Sequence, residues 1–544
     1  MTIHAHRSSW RFATGKLLIC LLTLMPMISA AAAESGWREY RSAHFIVRSD
    51  AKPKAARLLV RDLEWYRHVV GRITNIDFSN DETPPLRIWA WKTTREYIRA
   101  TKAYGTGGFY NMGLDGPYAM MSIEPAERPL ELDGRQVILH EYTHHIIHQF
   151  SPIQYPRWYD EGMAEFLSTM KFKDKGLVVI GGPIGRAAVL RDFDWVPFRD
   201  LMESKGQYMR QHRVSMRDPR RARPAISLQY AEGWITAHYL MTHPERRKQI
   251  QTYLSLMNRP DVRDEDAFKQ AFLTDYKGLQ KDVRKYFWSM KLPTLGMRIT
   301  DLPKVKIKER KLSDEESGFQ NIEGMLVAGD YSDSGKDNRD RIIALYEAGV
   351  RPKDMAYYLA RIAIAEEDDD DDAKAHAKEA DKWIAAFSKA GGSPAIAAYL
   401  KGLRELTAIF GDKAGFAKAT QPKDPERLAV LRRQLKQGMR ADPTDPRPHY
   451  LYALSFAFTD ERPDRQAMAS IGIVRDRLPD FPRGAIVEAI LRAHNGDRQG
   501  ALDQLNVLAR WAFSAGARNR YQKIAKRIEE MPESASAGKS ASKG

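Results

Sequence analysis

HEYTHHIIHQFSPIQYPRWYDEGMAEFL, residues 140 to 167, places four histidines (His140, His144, His145, His148) and three glutamates (Glu141, Glu161, Glu165) in twenty-eight positions. Its first five residues fit H-E-x-x-H. On a helix, residues four apart share a face, so the imidazoles of His140 and His144 reach one ion while Glu141 points beside them toward its open position. A zinc ion bound by two His takes a third protein ligand and keeps one position for water. Glu161 follows His144 after sixteen intervening residues. That is enough for the helix to end, turn at SPIQYP and send a second helix, RWYDEGMAEFLSTM, back alongside from Pro156. Glu165 sits one turn further on the same face, placed to accept a hydrogen bond from the other nitrogen of a liganding His. His148 shares the face of His140 and His144 and reads as a helix-end or supporting residue. His145 points elsewhere and reads as structural, and Trp158 as packing for the returning helix.

Upstream, residues 36 to 125 alternate strand and helix signals. REYRSAHFIVRS reads as one strand, PKAARLLVRDLEWYRHVVGRI as an amphipathic helix and PLRIWAW as a second strand. GGFYNMGLDGPYAMMSI has two apolar segments around the turn signal LDG, a hairpin whose free edge suits an extended peptide. Residues 34–133 are therefore expected to form an α/β subdomain with an edge hairpin, and 134–291 a helical metal-binding subdomain. Residues 292–325, rich in Lys, Pro and Gly, read as a linker. Beyond it, 326–531 is Ala-rich and helical. There DPTDPRPHYLYAL, from Asp442, returns as LPDFPRGAIVEAI, from Leu478, with Pro443, Pro446 and Arg447 matched by Pro479, Pro482 and Arg483. That period points to tetratricopeptide-like repeats. The acidic run Glu366 to Asp372 reads as a solvated loop, and 532–544 as a disordered tail.

The chain's ends and composition exclude several classes. Charged residues Arg7, Arg11 and Lys16 precede the apolar run LLICLLTLMPMISA and the small residues Ala31, Ala32 and Ala33. Residues 1–33 thus read as a secretory signal peptide, and the mature chain as exported, periplasmic or secreted, with no membrane span. Cys20 is the one cysteine among 544 residues and lies in that leader. Disulfides, thiolate metal sites and cysteine nucleophiles are thereby excluded from the mature chain, and any metal must be held by His and carboxylate. The formal charge is +16, which favours anionic envelope surfaces. Export and the lack of a binding module argue against nucleic acid. Arg210, Arg213, Arg217, Arg220, Arg221 and Arg223 crowd one stretch. It reads as a solvated loop, with a clamp for acidic substrate groups as the alternative.

HEYTH followed by PRWYDEGMAEF resembles the gluzincin zinc metallopeptidases, and most closely the peptidase-MA-like domains of bacterial exported proteins. The resemblance covers about residues 36 to 290. It implies an α+β zincin-like fold followed by the all-α repeat domain, Zn²⁺ as cofactor, His140, His144 and Glu161 as metal ligands and Glu141 as general base. QYAEGWITAHYL resembles the helix on which some gluzincins keep a transition-state tyrosine, which places that role on Tyr230. The spacer to Glu161 is shorter than in aminopeptidase relatives, so the division of roles between Glu161 and Glu165 stays open. No G-A-M-E-N-like segment is present, so aminopeptidase specificity is not carried over. The activity implied is hydrolysis of peptide bonds in a peptide or protein substrate through a zinc-bound water, with the repeats binding a protein partner or substrate. The competing readings are a non-catalytic repeat scaffold with a structural zinc domain, and zinc hydrolysis of a non-peptide envelope bond.

Overall fold

A computed structural model describes residues 36–531 apart from 80, 105–106, 126–133, 152–154, 203–218, 260, 330, 332, 367–372, 411–415, 417–420, 423 and 512–514. For 219–227, 333–334, 373, 510–511 and 515 it describes the backbone alone. The leader, the tail, all of the acidic run but Glu366, and the side chains of the arginine-rich stretch lie outside the described residues.

The architecture is mixed α/β, built on a six-stranded mixed sheet whose strands lie in the order Gly108–Gly113, Gly116–Ser122, Leu86–Trp91, Phe45–Ser49, Arg38–Arg41 and Lys308–Lys311. The segment expected to be one strand is two: β1 (Arg38–Arg41) and β2 (Phe45–Ser49) pair antiparallel. The chain reverses between them, with Ser42 N–H donating to the Phe45 carbonyl at 3.0 Å. Alternation alone does not show such a reversal. β2 then runs parallel to β3 (Leu86–Trp91), and β3 parallel to β5 (Gly116–Ser122). β4 (Gly108–Gly113) closes the free edge as the antiparallel partner of β5, with Gly113 opposite Gly116 across the turn at Leu114–Asp115.

Helices cover both faces, which is why β3 is apolar at every position but Arg87. With side chains alternating along a strand, Leu86, Ile88 and Ala90 enter the main core, while Trp89 and Trp91 enter a smaller one. Helix α1 (Pro53–Thr74) lays Leu59, Val60, Leu63, Tyr66 and Val70 into the main core, a spacing of three and four that turns one face inward. It ends at Asn75, in the left-handed conformation at φ 57°. Each large side chain buried in this way contributes roughly 1.5–3 kcal/mol. Helix α2 (Thr94–Thr101) packs beside β3 and β5 on the other face.

The expected linker is instead part of the fold. Within 292–325, β8 (Leu295–Arg298) joins β6 (Lys171–Phe172) and β7 (Leu177–Ile180) in a three-stranded sheet. β9 (Lys308–Lys311) pairs antiparallel with β1 at the edge of the large sheet. The strand sequences LGMR and KERK have little intrinsic preference for a sheet and are held by partners far away in the chain. Their short length and charge suit an edge. The strands also qualify the expectation that 134–291 is purely helical.

The remaining helices of the first half are α3 (Gly134–Phe150), α4 (Arg157–Ser168), α5 (Arg186–Asp192), α6 (Phe198–Met202), α7 (Pro219–Thr242), α8 (Pro244–Met257), α9 (Asp264–Phe272) and α10 (Tyr276–Trp288). Arg220, Arg221 and Arg223 therefore stand on α7 and not in a loop. Trp158 of α4 is fully buried, its ring 6.3 Å from that of Tyr253 on α8.

α4 and α7 cross at two glycines. A Cβ on Gly162 would stand 2.3 Å from the Gly233 carbonyl oxygen, and one on Gly233 would stand 2.7 Å from that of Trp158. Gly162→Ala is expected to force the helices apart and cost about 1–3 kcal/mol, read as a lower urea midpoint. An unchanged midpoint would mean that the backbones do not meet there.

Helix α11 (Asp314–Val327) starts with a capping box at Ser313 and Glu316 and lies on the Trp face of the sheet. The indole N–H of Trp89 donates to Gln320 and that of Trp91 to Asn321, at 3.2 and 2.7 Å. From α11 the chain continues as helices α12 (Asp333–Glu347), α13 (Pro352–Glu366), α14 (Ala373–Lys389), α15 (Pro394–Phe410), α16 (Pro425–Ala441), α17 (Pro446–Ala457), α18 (Arg465–Arg477), α19 (Pro482–His494), α20 (Arg498–Trp511) and α21 (Ala515–Glu530). Successive helices pack on one another around a shared apolar core. The two echoed segments open α17 and α19, each with a proline in the first turn. Glu366, expected in a solvated run, is buried and pairs with Arg339.

The helical array is seated on the sheet. Buried Glu323 of α11 pairs with Arg48 of β2 at 2.8 Å and with Arg351 at 2.6 Å, and accepts from the Tyr358 hydroxyl at 3.0 Å. At the β4–β5 turn, Asp115 accepts from Tyr357 at 3.0 Å and from Arg447 at 3.3 Å, and Met112 of β4 enters the array's own core.

Candidate metal centre

α3 and α4 lie side by side, and that packing turns His140 and His144 toward Glu161. The separations are 3.2 Å between the two Nε2 atoms, 3.3 Å from His140 Nε2 to Glu161 Oε2 and 3.4 Å from His144 Nε2 to the same oxygen. Ligands held tetrahedrally at about 2.0–2.2 Å from one ion stand roughly 3.3–3.5 Å apart. The near-equilateral triangle fits one face of such a tetrahedron. Glu161 Oε2 is buried and has no hydrogen-bond partner. A buried carboxylate oxygen left unsatisfied is costly, and a cation would satisfy it. His140, His144 and Glu161 form a group that could hold a metal ion.

The supporting contacts differ from the expected ones. Glu165 is buried, but it accepts from Arg186 Nε at 2.8 Å and is not hydrogen-bonded to the other nitrogen of a liganding His. That position belongs to Asp160, whose Oδ1 lies 2.9 Å from His144 Nδ1. Adjacent residues on a helix project about 100° apart. Asp160 therefore reaches round to the Nδ1 side of His144 while Glu161 faces Nε2. With Nδ1–H donated to Asp160, the Nε2 lone pair of His144 is directed at the site. The other oxygen of Asp160 lies 3.0 Å from His148 Nε2, so His148 is linked to His144 through Asp160. Its Nδ1 lies 3.6 Å from Asp480.

The electrostatics follow from burial and pairing. Burial raises the Glu161 carboxyl, but the imidazoles of His140 and His144 beside it outweigh that and hold Glu161 well below the usual carboxylate range. Asp160 is likewise pushed down, against its burial, by the charge of His144 and His148. Burial lowers His148, but Asp160 and Asp480 overcome it and lift it to about 10. Glu141 differs: burial raises its carboxyl, and the neighbouring charge of His140 and His144 offsets this only in part. Its carboxylate accepts the backbone N–H of Tyr110, on the outer strand β4.

Tyr230 stands at the same site. Its ring stacks on His140 with centroids 6.3 Å apart and 27° between planes, and the Arg186 guanidinium lies over the Tyr230 ring, 4.9 Å from its centroid. Its hydroxyl hydrogen-bonds with Glu161 and Arg157, and burial, then the charge of Glu161, raises it well above the ordinary phenol range. His145 is structural in its contacts: Nδ1 meets the Tyr110 hydroxyl at 2.8 Å and the ring stacks on Tyr142. Burial lowers its pKa to about 3. It thus ties α3 to the edge strand.

All six residues singled out from the sequence (His140, Glu141, His144, Glu161, Glu165 and Tyr230) lie together. Two participants were missed, Asp160 and the Tyr110 N–H. Asp160 had a signal, since it precedes Glu161 on the same helix. The amide of Tyr110 had none, because any residue in that register offers the same group. No family model, curated protein or solved structure matches the chain.

Proposed function

We propose that the chain is an exported zinc-dependent peptidase of gluzincin type, with a zincin-like catalytic domain and a tetratricopeptide-like array. The observation that carries the reading is the triangle of His140 Nε2, His144 Nε2 and the unpartnered Glu161 Oε2, with Glu141 next to His140 in the chain. The donor set, two imidazoles and one carboxylate, is that of a catalytic zinc site with a position left for water or substrate.

When bound, the ion supplies Lewis acidity to a carbonyl oxygen and acidifies water. The rest belongs to the chain. Glu141 accepts the proton of the water that attacks the peptide carbonyl and returns it to the leaving amine. The Tyr110 N–H fixes the carboxylate's orientation. Asp160 holds the tautomer of His144. Tyr230 fixes Glu161 through its hydroxyl, and its assignment to the oxyanion rests on the resemblance alone. β4, the free edge of the sheet, offers backbone groups to an extended substrate. Among the described residues no helix is long and apolar enough to cross a membrane.

The test is metal analysis of the purified mature protein, with a peptide-library cleavage assay before and after chelation. One zinc per chain, cleavage lost with chelator and cleavage restored by zinc are the expected results. A metal-free protein that cannot be reconstituted, or cleavage indifferent to chelator, would end the proposal.

A further inference from the structure

The helical array touches the catalytic half at the elements that shape the site. Asp115, at the tip of the edge hairpin, is gripped by Tyr357 and Arg447. At the far end of α3, Asp480 arrives from the turn between α18 and α19, beside the ion pair of Arg477 with Glu82 at 2.9 Å. From Asp480 a line of polar groups runs inward. Asp480 Oδ2 lies 3.6 Å from His148 Nδ1, His148 Nε2 lies 3.0 Å from Asp160 Oδ2, and Asp160 Oδ1 lies 2.9 Å from His144 Nδ1. The last atom belongs to the ring whose Nε2 faces His140 and Glu161.

We infer that Asp480 is a positioning residue for the metal centre, supplied by the helical array and acting on His144 through His148 and Asp160. The inference rests on the metal-centre reading above and adds that the array is part of the site's construction. The physical reason lies in the geometry of His148. An imidazole flanked by a carboxylate at each nitrogen has one ring orientation that serves both. Without Asp480, His148 is free to turn about its Cβ–Cγ bond, and its hydrogen bond to Asp160 loosens. Asp160 is buried and is shared between two histidines. Its oxygen on the His144 side is held in line only while the other side is occupied. Partners of this kind fix the ring plane of a metal-bound His, and losing one typically lowers metal affinity by about 10- to 100-fold. Asp480 is one hydrogen bond, His148 to Asp160, and one ion-pair contact of 3.6 Å further out, so a smaller effect is expected.

The experiment uses the full mature chain and measures zinc affinity by competition with a chromophoric chelator. The visible spectrum of the cobalt-substituted protein and the urea midpoint are recorded alongside. Asp480→Asn is expected to weaken zinc binding about three- to tenfold and to shift the cobalt bands. Asp480→Glu should recover most of the affinity. Asp160→Asn should weaken it by about 10- to 100-fold. Arg477→Ala, which removes the neighbouring interface pair and leaves the line intact, should bind zinc like the unaltered protein. If Asp160→Asn weakens binding and Asp480→Asn does not, the inference fails while the metal-centre reading stands. Equal weakening by Asp480→Asn and Arg477→Ala would also overturn it, because the effect would then be loss of docking. If the unaltered chain binds no zinc, or His140→Ala leaves the affinity unchanged, both readings fall.

Discussion

Glu141→Gln is expected to keep one metal ion per chain and to slow peptide hydrolysis by about 10²- to 10⁴-fold, the usual contribution of a positioned acid–base group. Glutamine keeps the shape of the side chain and can still accept the Tyr110 N–H through its carbonyl oxygen. It cannot take up a proton at working pH. Because the proposed ligands His140, His144 and Glu161 are untouched, metal content should match that of the unaltered protein, and the loss should fall on kcat. The comparison is kcat/KM on a peptide for which the unaltered protein shows cleavage in the library assay, with zinc stoichiometry measured on the same preparation. A variant with full zinc and full activity would remove Glu141 from the mechanism. Loss of zinc would show that Glu141 takes part in holding the ion.

The second large effect is on stability and lies away from the site. Glu323 is nearly inaccessible and pairs with Arg48 and Arg351. Glu323→Ala leaves two buried guanidinium groups without their shared carboxylate, and breaking such a pair costs about 3–5 kcal/mol. The same group predicts a pH dependence. Burial raises the Glu323 carboxyl, but the charge of Arg48 and Arg351 overcomes this and holds it far below the ordinary range. An unfolded glutamate titrates near about 4.3. Below that pH the unfolded chain binds a proton that the folded chain refuses. The stabilisation is therefore complete above about pH 4.3 and is lost as pH falls toward the depressed folded value. The urea midpoints of the unaltered protein and Glu323→Ala should differ most at neutral pH and converge on acidification. A gap that stays constant down to pH 3 would contradict the ion-pair account.

The helices of the site were legible because their signals are local. HEYTH and DEGMAE each state a helical face within two turns, and Pro156 marks where the second begins. The hairpin was legible from LDG between two apolar segments, and α1 from its three-and-four spacing. The reading of 292–325 as a linker failed for a physical reason. Strand formation at LGMR and KERK depends on β7 and β1, which offer their backbone groups from 115 and 267 or more positions earlier in the chain. Helical periodicity puts Glu165 on the face of Glu161, which is why the sequence points to it as the hydrogen-bond partner of His140 or His144. Periodicity does not say how far along the neighbouring helix each side chain reaches.

By itself the sequence determined which side chains can bind an ion and on which helices they ride, because ligand spacing and helical period are properties of a few consecutive residues. Only the tertiary structure decided that Asp160 and not Glu165 supports His144, that Tyr110 lends its amide to Glu141, and that Asp480 reaches the end of α3. Those contacts depend on how closely α4 approaches α3 and α7, at Gly162 and Gly233, and on where a helical array more than three hundred residues downstream comes to rest.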